Sequence, residues 1–151
     1  FFVIFSKQPS VLNDVQSFIF GVYSEKLNLP GLKLSSKTQS TQRLNSVMNT
    51  TLEQLAELEA AEQRLHKITF PHIPGFNERF ILLAEDEKTL VQFFVMDRSE
   101  KLTQLKEDFE LNGEGRLFTL KMNFRRDDLT LEDRIRKTSG LGKKIYRIFK
   151  D

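Results

Sequence analysis

The sequence predicts an α+β domain in which a small antiparallel β-sheet of three to four strands packs against helices, one of them long and amphipathic. Apolar runs at 78–84 and 89–96 flank four charged residues, which is the pattern of a β-hairpin. Residues 116–124 alternate, with Phe118, Leu120 and Met122 on one face, as in a half-buried strand. Residues 41–67 instead repeat leucine at helical spacing.

The composition is that of one globular domain, taken as residues 1–151, in a chain of 151 residues with 39% hydrophobic and 29% charged residues. The net charge of +2 does not by itself indicate a nucleic-acid partner. Fourteen Phe and no Trp suit a dry core or an apolar contact surface. The absence of Cys excludes disulfides and thiolate metal sites. No transmembrane segment is predicted, because no apolar run approaches the roughly 20 residues that a spanning helix needs.

The N-terminal third is predicted as strand, helix and connector. Residues 1–5 form an apolar run typical of a strand. Residues 11–23 carry apolar side chains three and four apart, including Val15, Phe18 and Ile19, which predicts a helix that ends before Pro30. Residues 33–42 are polar and lack periodicity, and we interpret them as a flexible connector.

A long helix is predicted over 41–67, with leucines close to heptad spacing. At about 1.5 Å per residue it would be roughly 40 Å long, more than a small sheet covers. Its apolar stripe therefore either packs across the chain's own sheet or binds a protein partner or a second copy in the manner of a coiled coil. The candidate partner-binding residues are Leu44, Met48, Leu55 and Leu58.

In the central part, the Pro-rich stretch 68–75 ends the long helix before the hairpin begins. The second hairpin strand is expected to be central and buried, with Val91, Phe93 and Val95 in the core. Between 97 and 111 two interpretations remain: a helix capped by Ser99 with a short extended exit, which we favour, or a strand entering a tight turn at 112–113.

The C-terminal part is predicted as a strand over 116–124 and a helix that Thr130 caps and Ser139–Gly140 ends. Residues 143–149 then form a second short helix or a final strand. The stretch 139–144, Ser-Gly-Leu-Gly-Lys-Lys, resembles a phosphate cradle in composition, but it lacks the P-loop spacing and its Ser or Thr.

No catalytic, metal or cofactor site is predicted. Glu85, Asp86 and Glu87 form a carboxylate run of the kind that binds hard cations or performs acid–base chemistry, but it falls in the predicted turn, where such residues are ordinarily solvated. His66 and His72 lie six residues apart across the Pro-rich break and do not make up a ligand set.

Positive charge is concentrated in the segment 121–150, which contains ten Lys and Arg residues but only four Asp and Glu residues. Such an excess suits phosphates, an anionic membrane face or an acidic protein. The candidate anion-binding residues are Arg134, Arg136, Lys137, Lys143, Lys144 and Arg147.

The sequence therefore favours a non-enzymatic interaction or assembly module, a subunit or adaptor that binds a protein partner through the long helix. The alternative is a domain that binds nucleic acid or another anionic surface through the basic C-terminal segment. No pattern in the chain indicates a cellular compartment.

Overall fold

The computed structural model describes residues 2–9, 15–38, 64–94, 96–125 and 128–151. Over these residues the fold is α+β, as predicted, but one antiparallel sheet contains seven strands rather than three or four. The sheet order is β1-β2-β7-β6-β3-β5-β4. In chain order the elements are β1 (Phe2–Pro9), β2 (Val15–Tyr23), β3 (Leu29–Ser36), β4 (His66–Ile68), α1 (Pro74–Arg79), β5 (Phe80–Ala84), α2 (Glu87–Phe93), α3 (Met96–Thr103), β6 (Glu110–Gly115), β7 (Leu117–Arg125) and α4 (Leu131–Lys150).

One face of the sheet carries the main hydrophobic core. Along β2 and β7 the buried cross-strand pairs are Phe18 with Met122, Phe20 with Leu120 and Val22 with Phe118. The helix α4 lies against β2 and β7, α2 lies against β3, and α1 lies against β5. The opposite face buries a smaller cluster of Ile81 and Leu83.

Phenylalanine rings connect the helices to this core. The ring centroid of Phe76 lies 5.3 Å from Phe70, 5.2 Å from Phe80 and 5.9 Å from Phe94. Phe149, in the last turn of α4, contacts Phe94 and Phe118 at 6.2 and 5.9 Å. Offset and edge-on ring pairs of this kind add about 0.5–1.5 kcal/mol each beyond the burial of their area.

The predicted helix over 11–23 is wrong where the structure describes it, because residues 15–23 form β2. Nine residues of β2 pair in register with β7, from Val15 opposite Arg125 to Tyr23 opposite Leu117. The same apolar residues satisfy a period of two as well as a period near 3.6, and pairing with a strand about a hundred residues away selects the extended form.

The predicted connector over 33–42 is also wrong in its first part, because residues 33–36 lie in β3. Ser36 is fully buried, its N–H donates to the carbonyl of Phe109 (2.9 Å), and its hydroxyl accepts from the N–H of Phe109 (3.0 Å). Polar side chains here satisfy the backbone at a sheet end rather than marking a loop.

The first run of the predicted hairpin is confirmed as β5, but the second run is the helix α2 rather than a strand. Asp86 is the N-cap of α2, and its side chain accepts from the N–H of Thr89 (3.2 Å). Helical spacing turns Leu90 and Phe94 inward and leaves Val91 44% exposed, so the prediction that Val91 is buried is wrong. Phe93 is only half-buried, and Val95 lies outside the described residues.

Residues 97–111 follow the favoured interpretation, a helix (α3) and then an extended strand (β6). Ser99, however, is a buried residue inside α3 rather than its cap. The tight turn lies at Gly115–Arg116 rather than at 112–113, and Gly115 has a φ of +56°, a conformation that glycine adopts without a steric penalty.

The strand over 116–124 and the Thr130 cap are confirmed by β7 and α4. The predicted break at Ser139–Gly140 is wrong, because α4 continues without interruption from Leu131 to Lys150. The predicted helix over 41–67 falls largely in 39–63, outside the described residues, and its last two residues, 66 and 67, belong to β4 instead.

Candidate functional site

The helix α4 begins at a reciprocal cap. The hydroxyl of Thr130 accepts from the N–H of Asp133 (3.2 Å) and donates to the Asp133 carboxylate (2.8 Å). Glu132 and Asp133 lie in the first turn, whereas Arg147 and Lys150 lie in the last. Because carboxylates favour the positive N-terminal end of the helix dipole and cations favour its negative end, the charges stabilise the helix in this direction.

One side of α4 is buried against the sheet and holds the helix rigidly in place. Its buried residues include Leu141, Ile145 and Phe149, spaced by four. Gly142 brings the backbone so close to the sheet that an added Cβ would lie 2.3 Å from Cδ1 of Phe20. The close packing therefore requires glycine at this position. The phosphate cradle considered for 139–144 is excluded, because these residues lie inside α4, where the backbone N–H groups form helical hydrogen bonds.

The opposite side of α4 is a line of exposed cations, here called the basic stripe, made up of Arg136, Lys143, Arg147 and Lys150. These residues are seven, four and three positions apart, so at about 100° per residue they lie within roughly 60° of one another. The stripe spans fourteen residues, or about 21 Å along the axis. In the described part of the chain no helix, α4 included, is long and apolar enough to cross a membrane.

The structure separates the six candidate anion-binding residues. Arg136, Lys143 and Arg147 are in the basic stripe, while Lys137 and Lys144 lie on one flank of it. Arg134 is on the buried side, 5% exposed, and its Nη1 donates to Oε1 of Gln16 (2.6 Å).

Some stripe and flank cations already have partners. Arg136 bonds to Glu132 (2.9 Å) and Lys150 lies 3.9 Å from Asp151, both in exposed pairs, which are worth little in water. Lys144 bonds to Glu107 (3.3 Å). Partial burial raises the pKa of Glu107, but hydrogen bonds from backbone N–H groups and from Lys144 outweigh it, and the net pKa lies below the ordinary value. Lys143 and Arg147 form no salt bridge with any residue that the structure describes.

Lys150 belongs to the stripe but is absent from the sequence-derived candidate set. The break predicted at Gly140 made 143–149 a separate element, so no common helical face extended from Arg136 to Lys150. The spacing of seven, four and three would have revealed the stripe if residues 131–150 had been interpreted as one continuous helix.

The carboxylate run has a structural explanation. Asp86 caps α2, and hydrogen bonds from the hydroxyl and then the N–H of Thr89 lower the pKa of its carboxyl below the ordinary value. A shallow surface depression next to Asp86 is also lined by Glu85, Glu87 and His66. The described residues contain no group of three or more side chains arranged to hold a metal ion.

The candidate partner-binding residues Leu44, Met48, Leu55 and Leu58 lie outside the described residues. Leu65, which falls within the predicted 41–67 helix, is among the described residues, and it packs against Ile81 and Leu83 of the chain's own sheet.

Comparison with known proteins found no matching family model, no similar curated protein and no similar solved structure. A proposed function therefore depends on the surface chemistry of this chain, above all on the basic stripe.

Proposed function

We propose that this chain is an interaction module that binds the phosphate backbone of nucleic acid through the basic stripe of α4. The observation that carries the proposal is the outward line of four cations on a helix whose other side is locked into the core. Because these cations are held on a rigid helix, binding to a regular row of phosphates loses little conformational entropy of the backbone.

The chemistry of the stripe favours nucleic acid over a membrane surface. Helices that lie on a bilayer insert apolar side chains beside their cations. The large apolar residues Leu141, Ile145 and Phe149 lie on the side of α4 opposite the stripe and are buried in the core. The exposed large apolar residues of α4, Leu131 and Ile135, both precede the first cation of the stripe. Ser139 and Gly140 occupy the outward positions between Arg136 and Lys143 and offer nothing to insert. Charge alone would contribute only about 1 kcal/mol per cation at an anionic membrane.

The length of the stripe sets the expected footprint. About 21 Å along the helix axis corresponds to roughly six nucleotides of one strand of a duplex, at about 3.4 Å each. Because backbone contacts carry no base information, we expect binding that does not depend on sequence.

The test is fluorescence anisotropy of a labelled short DNA duplex at several salt concentrations. Four phosphate contacts predict that log affinity falls with log salt at a slope of roughly −3 to −4. Changing Lys143→Glu together with Arg147→Glu should weaken binding and reduce the slope by about two units.

The matched control is Lys67→Glu with Lys88→Glu, which changes the net charge equally at exposed residues of β4 and of the first turn of α2, outside α4. An equal loss in the control would show that only net charge matters and would refute the proposal. Binding to phosphatidylserine vesicles or polyglutamate without binding to DNA or RNA would assign the stripe to another partner class.

A second proposal concerns the protein partner of the predicted 41–67 helix. The heptad-like spacing of Leu44, Met48, Leu55 and Leu58 favours it. If these residues serve a partner, the purified chain should sediment as a dimer or larger species, and Leu55→Glu should convert it to a monomer. A wild-type chain that is monomeric at all concentrations would contradict self-association through this stripe.

A further inference from the structure

A hollow of about 560 Å³ lies at the end of the sheet where β2 begins and β7 ends. Its volume is within the range of roughly 300–1,000 Å³ that is typical of small-molecule pockets. The apolar part of its lining is Val15, Phe124 and Leu129. The ring of Phe124 rests edge-on against Phe18, with centroids 5.6 Å apart, so this side is held by the core.

The mouth of the hollow carries charge from separate elements. Arg125 ends β7, and Lys137 lies in the second turn of α4. Both are exposed, and neither forms a salt bridge with another residue that the structure describes. Asp128 also lines the hollow, and a backbone bond from its N–H to the carbonyl of Arg125 (3.4 Å) brings these two residues together. The lining therefore has two cations and one carboxylate.

The walls are tied to one another below the mouth. Gln16, next to Val15 on β2, accepts a hydrogen bond from Nη1 of the buried Arg134, one turn before Lys137 on α4. Asn123 accepts from the hydroxyl of Ser17 (2.7 Å), which joins β7 to β2. A pocket whose walls are bonded together is preorganised and loses little entropy on binding.

We propose that this hollow binds a small monocarboxylate with an apolar body. The planar guanidinium of Arg125 suits bidentate pairing with a carboxylate, and the ammonium of Lys137 adds a second positive charge. Phe124 and Leu129 supply the apolar surface for the body of the ligand. Asp128 leaves the lining with a net charge of one positive unit, which matches a monoanion and disfavours a phosphate dianion.

The experiment is a calorimetric or NMR titration of the full chain with 4-phenylbutyrate as the probe. Saturable one-to-one binding is expected, and the neutral analogue 4-phenylbutanol should bind about tenfold more weakly or worse. Phenyl phosphate provides the dianion arm and should bind more weakly than the carboxylate. If phenyl phosphate bound more tightly than 4-phenylbutyrate, or if 4-phenylbutanol bound as tightly, the proposal would be overturned.

Lys137→Gln and Arg125→Gln should each lower the affinity for 4-phenylbutyrate by roughly ten- to a hundredfold, because each removes a charge-assisted hydrogen bond. Lys143→Gln, on the same helix but in the basic stripe, is the matched control and should leave this binding unchanged. Lys137 is an exposed helix residue, so Lys137→Gln tests the pocket even if Arg125→Gln disturbs the end of β7. If Lys137→Gln bound 4-phenylbutyrate as tightly as the wild type, the proposed site would be refuted. Nucleic-acid binding is tested separately, by the variant that combines Lys143→Glu with Arg147→Glu.

Discussion

Two glycines of α4, only two positions apart, should respond to alanine in opposite directions. Inside a helix, Gly→Ala ordinarily stabilises by about 0.5–1 kcal/mol, since alanine loses less conformational entropy on folding. At Gly140 an added Cβ meets nothing within 4 Å. At Gly142 it would lie 2.3 and 2.4 Å from two ring carbons of Phe20, which is itself buried. Alanine at Gly142 is therefore expected to force the helix or the ring to move.

The expected change in the free energy of unfolding combines the gain in helix propensity with the cost of overpacking the core. Gly140→Ala should raise the free energy of unfolding by about 0.5–1 kcal/mol. Overpacking a filled core costs about 1–3 kcal/mol, and contacts this short place Gly142→Ala at the upper end of that range. After the helix-propensity gain is subtracted, Gly142→Ala should destabilise by about 1–2 kcal/mol. For a chain of this size, a difference of about 2–3 kcal/mol between the two variants separates their Tm values by roughly 4–12 °C.

The assay is urea unfolding and thermal melting of both variants, followed by circular dichroism. Phe20→Leu supplies a double-mutant cycle: if the clash is with the ring, Gly142→Ala should cost less in the Phe20→Leu background than in the wild type. If Gly142→Ala raised Tm as much as Gly140→Ala, α4 could not pack on β2 as the structure has it.

Two further predictions concern α2. Hydrogen bonds from Thr89 hold the pKa of Asp86 below its ordinary value of 3.8, so its contribution to stability is present above that pH and is lost as the pH falls through the lower folded-state pKa. Asp86→Ala should therefore lower the urea midpoint at neutral pH and lower it less at about pH 2, whereas an equal loss at both would contradict the capping role. Phe94→Ala should cost about 3–5 kcal/mol, because its ring is buried among Phe70, Phe76 and Phe149, and the half-buried Phe93→Ala should cost less. Thermal melts that ranked Phe93→Ala below Phe94→Ala in stability would reverse this assignment.

The candidate surface was only partly predictable from the sequence. The excess of Lys and Arg near the C-terminus is visible in the sequence, but their directions depend on the helix that carries them. Arg134 and Arg136 are two residues apart, yet one is buried beside Gln16 and the other is exposed. The hollow at the end of the sheet left no signal in the sequence, because Val15 and Lys137 are brought together only by the pairing of β2 with β7 and the return of α4.

The sequence by itself determined the α+β class, the strands β5 and β7 and the start of α4, because each of these rests on local chemistry. Period-two alternation is sufficient for β7, and the Thr130 cap lies within one helical turn of the N–H that it satisfies. Only the tertiary structure decided the state of residues 15–23, whose apolar pattern suits a helix or a strand until β7 supplies the hydrogen-bonding partner. It likewise decided that α4 continues past Ser139–Gly140 instead of ending there, because α4 packs against β2, where Gly142 lies against the ring of Phe20, more than a hundred residues away in the chain.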